Sequence, residues 1–87
     1  MRLNKNDTAY RRVGDEFYVL TTRDSTLHNI RGVGVRIMEL LEESKGRDDI
    51  LAILLAEFEV DEVTLAADVD AFLASLREKG ILLDDNG

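Results

Sequence analysis

The chain has 87 residues, a length suited to one domain with a modest core. It has no cysteine, proline or tryptophan, which excludes disulfides and thiolate metal sites, and its start, MRLNKNDTAY, lacks the apolar segment of a secretion signal. The net charge of −7 is uneven: residues 1–36 carry seven Lys/Arg against four Asp/Glu, whereas residues 37–87 carry four against fourteen, a half that repels polyanions such as DNA.

Residues 1–8 are polar and expected to fray. AYRRV and FYVLTT are short runs rich in β-branched and aromatic residues, with Gly14-Asp15-Glu16 between them. They predict a hairpin with a three-residue turn. TRDS makes a second turn, and TLHNI, Thr26–Ile30, is the third predicted strand. The period then changes. Val33, Ile37, Leu40 and Leu41 stand at i, i+4, i+7 and i+8, the stripe of an amphipathic helix that ends at ESKGR.

Asp48 and Asp49 suit the N-terminus of a second helix. Its residues Ile50, Leu51, Ile53, Leu54, Leu55 and Phe58 are apolar nearly all round, so it is either central to the core or shows a face to a partner. The third helix is the best punctuated. Asp61 is its N-cap, Val60 and Leu65 form a hydrophobic staple, and Leu65, Val69, Phe72, Leu73 and Leu76 form the buried stripe. Arg77 and Lys79 suit the last turn, Gly80 fits the C′ position, and Ile81 packs back on Leu76. Leu82 and Leu83 continue briefly before the solvated tail DDNG. Strands followed by helices predict an α+β domain: a three-stranded antiparallel sheet with three helices over one face, a single unit over 1–87 with its ordered core at about 9–83.

Gly32 and Gly34 invite a phosphate-loop reading. A dinucleotide fingerprint needs a third glycine where Ile37 stands, and no Gly-Lys-Ser/Thr follows for a P-loop. The expected roles are a permissive turn at Gly32 and a close helix approach at Gly34. His28 is the only histidine and has no cysteine or second histidine to share a metal. Asp68 and Asp70 lie in a helical pattern without the turn glycine of a calcium loop. No catalytic, cofactor or metal residue is therefore assigned. No apolar run approaches the roughly 20 residues that span a bilayer, and the expected compartment is the cytoplasm.

Two stretches, GVGVRIMELLEES and DDILAILLAEFEVDEVTLAADVDAFLASLREKGIL, carry a resemblance. In order and spacing they are similar to the PqqD-like family, the domain also called a RiPP recognition element, over roughly Tyr10 to Leu83. Here Ile30-Arg31 stands where the family often has Leu-Asn, Met38 where an aromatic is usual, and Phe58 at the junction tyrosine. The resemblance implies a winged-helix-like fold and a peptide chaperone without catalysis. Its partners would be the leader of a ribosomally made precursor peptide and a modifying enzyme such as a radical SAM protein, as in PQQ-type biosynthesis. It implies that the leader adds a strand beside the third predicted strand, next to the third helix. The residues expected to meet it are Thr26, Leu27, His28, Asn29, Ile30 and Arg31 on the strand, and Val69, Phe72, Leu73 and Leu76 on the helix. TLHNI is short and half polar, as an edge strand should be.

The alternative reading is a winged-helix DNA-binding or regulatory module. Against it, the third helix carries Asp61, Glu62, Asp68, Asp70 and Glu78 but only Arg77 and Lys79 to meet phosphates. A third reading is dimerisation through Ile50–Phe58.

Overall fold

Side chains alternate across a strand, and that alternation divides this protein into a dry and a wet face. The computed structural model describes residues 1–84. After a two-residue strand β1 (Arg2–Leu3), an antiparallel sheet is built from β2 (Thr8–Val13), β3 (Glu16–Thr21) and β4 (Thr26–Ile30), with β3 in the centre. Phe17, Val19 and Thr21 of β3 and Ile30 of β4 point inward and are buried. The helices α1 (Val33–Glu42), α2 (Arg47–Glu57) and α3 (Glu62–Glu78) then cover that face, giving the expected α+β order.

The first hairpin differs from expectation. Val13 pairs with Glu16, so the turn is the two residues Gly14-Asp15 rather than three. Gly14 takes φ +60° while Asp15 does not, the pattern of a type II′ turn, whose twist matches the flanking strands. The second hairpin closes on Thr21 and Thr26. Inside it Asp24 accepts the Thr21 hydroxyl proton and, at 3.2 Å, the Thr26 N–H.

The N-terminus does not fray. Arg2 and Leu3 pair antiparallel with β5 (Leu82–Leu83), and Leu3 is buried. Asn4, also buried, donates its backbone N–H to Ile81 O at 2.8 Å and its side chain to Gly80 O at 3.0 Å. β1 and β5 are thereby held together against the end of α3. Asp84 of the predicted tail pairs with Arg77; the rest of that tail, residues 85–87, lies outside the described residues.

The third helix follows its punctuation. Asp61 Oδ2 accepts from the Thr64 N–H at 3.0 Å. At the other end Gly80, φ +78°, donates to Arg77 O and Ile81 donates to Leu76 O, the paired bonds of a Schellman ending. Val60 stays exposed although Leu65 is buried, so the anticipated staple shields little. In α1 the buried face is Val35, Ile37, Met38, Leu40 and Leu41, whereas Val33, expected in the stripe, is exposed. The core joins these residues to Ile50 and Leu54 of α2 and Leu65, Val69, Leu73 and Leu76 of α3.

Candidate functional site

Gly34 brings three elements together. A methyl group added there would lie 2.8 Å from Ile30 Cγ2 of β4 and 3.0 Å from Phe72 Cε1 of α3. The glycine therefore has the packing role expected of it: it lets the first turn of α1 sit against the end of β4 and the middle of α3. Gly32, φ +62°, turns the chain between strand and helix. Among the described residues no cluster of three or more His, Cys, Asp or Glu side chains could hold a metal ion.

With Ile30 and Phe72 fixed side by side, β4 and α3 leave a groove of about 180 Å³ between them. It is lined by His28, Asn29, Ile30 and Arg31 from the strand side and by Phe72, Ser75, Leu76, Lys79 and Ile81 from the helix side. Six of the ten sequence-predicted residues are thus brought together: His28, Asn29, Ile30, Arg31, Phe72 and Leu76. Val69 and Leu73 are each only 1% exposed and belong to the core, not to the groove wall. Thr26 and Leu27 are exposed on the same strand, outside the groove lining. Ser75, Lys79 and Ile81 also line the groove and were not among the ten. Phe72, Ser75, Leu76 and Lys79 stand at i, i+3, i+4 and i+7, so one helical face was the signal, hidden because two of its members are polar.

Hydrogen-bond parity decides what the outer edge of β4 offers. Residues flanking a two-residue turn exchange both backbone bonds, and such pairs then alternate along the ladder. Val13 and Glu16 are therefore a bonded pair, as are Arg11 with Tyr18 and Ala9 with Leu20. The Thr22 N–H donating to Asp7 O at 2.8 Å continues the same series. The even residues of β3 thus turn their backbone toward β2, and Phe17, Val19 and Thr21 turn theirs toward β4. Their partners Ile30, His28 and Thr26 are satisfied within the sheet. Leu27 and Asn29 direct their N–H and C=O groups outward, to an edge no described strand covers.

The polar groups near the groove are arranged for structure. Thr21, 4% exposed, gives its one hydroxyl proton to Asp24, and His28 Nε2 stands 3.4 Å from the same oxygen. The Thr21 hydroxyl holds the Asp24 carboxyl below the usual range, helped by Thr26. Arg31 donates to Asn29 Oδ1 at 2.5 Å and pairs with Glu16 at 2.5 Å.

The family model described as Coenzyme PQQ synthesis protein D (PqqD) matches residues 16–82, from the start of β3 to the first residue of β5. The chain belongs to the PqqD family. Two solved structures share its fold. TbiB1 in complex with the TbiA(beta) leader peptide is 30% identical, with 97% of this chain and 100% of that chain covered and a TM-score of 0.88. A lasso peptide synthetase B1 complexed with the leader peptide is 22% identical, with 95% and 96% covered and a TM-score of 0.84. No curated protein sequence matches the chain. No helix among the described residues is long and apolar enough to cross a membrane.

Proposed function

We propose that this protein is a peptide chaperone: it binds the leader of a ribosomally made precursor peptide as an added strand along β4 and presents it to a peptide-modifying enzyme, without chemistry of its own. One observation carries the reading. The outer edge of β4 presents the unpaired backbone groups of Leu27 and Asn29 directly beside a groove floored by Ile30, Phe72 and Leu76. An extended peptide satisfies those groups, and its alternate side chains enter the groove; backbone bonds supply affinity and the groove supplies selectivity. The TbiB1 relative, solved with a leader peptide, supports the reading at 30% identity over nearly the whole chain. A radical SAM protein is one enzyme class compatible with the family. DNA recognition by α3 is disfavoured by its acids, since Glu62, Asp68, Asp70 and Glu78 are all exposed.

The parity of β4 yields a paired test. Proline at Asn29 removes an N–H that faces the added strand; proline at His28 removes one that faces β3. Asn29→Pro is expected to keep the fold and weaken leader binding at least about tenfold, whereas His28→Pro disrupts the β3–β4 ladder and lowers thermal stability. Titration of 15N-labelled protein with a synthetic precursor leader peptide should shift residues 26–31 and the groove face of α3, including Ser75 and Lys79. Shifts confined to Ile50–Phe58 would reject the reading.

A further inference from the structure

The two walls of the groove are held together differently at its two ends. At one end they touch: Gly34 lets Ile30 of β4 and Phe72 of α3 close on the first turn of α1. At the other end they do not. There the groove opens, past His28 and Lys79, into a cleft of about 550 Å³ between the β3–β4 hairpin and the end of α3. Asp7, Thr21 and Asp24 line one side of this cleft and residues 77–80 the other. Packed side chains fix a separation by contact, and an open cleft supplies no such contact.

Hydrogen bonds span the cleft instead, and they run through one residue. Asn4 is 6% exposed, and each of its polar groups has a partner. Its backbone N–H donates to Ile81 O at 2.8 Å and its side-chain amide to Gly80 O at 3.0 Å, which ties it to the helix end. Its Oδ1 accepts the Asp7 N–H at 3.3 Å, its amide also donates to Asp7 Oδ2 at 3.4 Å, and its carbonyl accepts the Thr8 hydroxyl. Asp7 O in turn accepts from the Thr22 N–H at 2.8 Å and the Thr22 hydroxyl at 3.0 Å. Thr22 follows Thr21, whose hydroxyl oxygen stands 3.4 Å from His28 Nε2. The path therefore joins Ile81 on one wall to His28 on the other without crossing the groove. Neither Asn4 nor Asp7 lines the groove, and both precede the residues that the family model matches.

We propose that Asn4 is a positioning residue for leader binding: it sets the width of the groove at its open end and holds Lys79 and Ile81 at a fixed distance from β4. This rests on the leader-binding reading above. Asn4 itself does not touch the leader. Backbone bonds to the β4 edge are available to any extended peptide, so the choice among leaders falls to the groove and depends on its walls being held apart by a set amount. Affinity depends on the same tie, because a wall that must be ordered during binding weakens it.

Asn4→Ala removes the side-chain ties and keeps the backbone bond to Ile81 O. Asp7→Ala, at a half-buried position, removes only the carboxylate that helps to orient the Asn4 amide. Ile50→Val is the control: Ile50 is fully buried in α2 and lines neither groove nor cleft, so its truncation lowers stability without touching either wall. Each protein is examined by thermal melting, by backbone amide hydrogen exchange, and by anisotropy with a fluorescein-labelled synthetic precursor leader peptide well below its Tm. Asn4→Ala is expected to weaken leader binding at least about fivefold, the equivalent of about one net hydrogen bond, and to speed exchange at residues 79–83 ahead of the rest of the chain. Asp7→Ala is expected to weaken binding by about twofold, and Ile50→Val to change it by less than that. Unchanged leader affinity in a folded Asn4→Ala protein overturns the proposal. So does an equal loss in Ile50→Val, which would assign the effect to stability in general. If Asn4→Ala fails to fold, Asp7→Ala carries the test, and unchanged affinity there overturns the proposal. Failure of the unmodified protein to bind leader is a separate outcome and refutes the leader-binding reading instead.

Discussion

Gly34→Ala sets two opposing effects against each other at the centre of the candidate site. Alanine stabilises a helix over glycine by about 1 kcal/mol, so on an open surface the change would raise the melting temperature. Here the new methyl lies 2.8 Å from Ile30 Cγ2 and 3.0 to 3.1 Å from two carbons of the Phe72 ring. Comfortable carbon contacts are about 3.5–4.0 Å, so the strand, the helix or both must move by more than half an ångström. Cγ2 sits on the stiff branch of an isoleucine at the end of a paired strand and cannot swing away alone. Overpacking of this kind costs about 1–3 kcal/mol, which exceeds the helical gain. The net loss is about 1 kcal/mol, or a Tm lower by about 4–8 °C in a domain of this size. Because Ile30 and Phe72 line the groove, leader affinity should fall in the same variant. Ile30→Leu removes Cγ2, so in the Gly34→Ala background it should recover part of both losses, with a coupling above about 0.5 kcal/mol in a double-mutant cycle. Thermal melts and leader titrations of the four proteins decide. A higher Tm with unchanged leader affinity in Gly34→Ala would refute the close approach and with it the description of the groove.

Three further outcomes are expected from the frame around the site. Ser44 holds φ +63° at the end of α1, where its N–H bonds to Leu41 O and that of Lys45 to Leu40 O; Ser44→Gly removes the left-handed penalty and should stabilise by about 1 kcal/mol in urea denaturation. Leu73→Ala empties a fully buried core position and should cost about 2–5 kcal/mol by the same measurement, a large part of the stability of so small a domain. The carboxyls of Glu57, Asp61 and Asp70 are held below their ordinary values of 4.5, 3.8 and 3.8 by hydrogen bonds from Arg36, the Thr64 N–H and Arg47 respectively. Depressed carboxyls stabilise the fold above their unfolded pKa and lose that contribution as they take up protons. The urea midpoint should therefore be flat from pH 7 to about 5 and fall below about pH 4.5; a midpoint that rises on acidification would contradict these contacts.

What was legible in the sequence followed from local chemistry. Asp61, Gly80 and Ile81 announced the two ends of α3 because caps act within a few residues, and the bonds form as the pattern implies. The 3.6-residue period of α1 was equally plain, although Val33 at its first turn had no neighbour to cover it. β1 and β5 left no comparable trace. Two residues make no period, and their pairing joins positions some 80 residues apart through the buried amide of Asn4. The groove lining was legible in part for the same reason. The β4 residues share one short segment, but apolarity on α3 does not separate core from groove: Val69 and Leu73 look like Phe72 in sequence, and only packing assigns them to different sides of the helix.

The turn at Gly14-Asp15 shows how a local uncertainty reaches a distant site. A three-residue turn pairs Val13 with Phe17, which would direct the backbone of Phe17, Val19 and Thr21 toward β2. With the β3–β4 register unchanged, His28 and Ile30 would then present their amides to the outer edge, and Leu27 and Asn29 would bond within the sheet. The observed two-residue turn reverses this. It places the outward amides on Leu27 and Asn29, whose side chains lie on the wet face, and leaves the side chains of His28 and Ile30 to meet the groove. The edge strand therefore presents its free backbone from Leu27 and Asn29, and its inward side chains from His28 and Ile30. A ligand strand can then satisfy the backbone of Leu27 and Asn29 while its own alternate side chains pack beside His28 and Ile30, with neither set displacing the other.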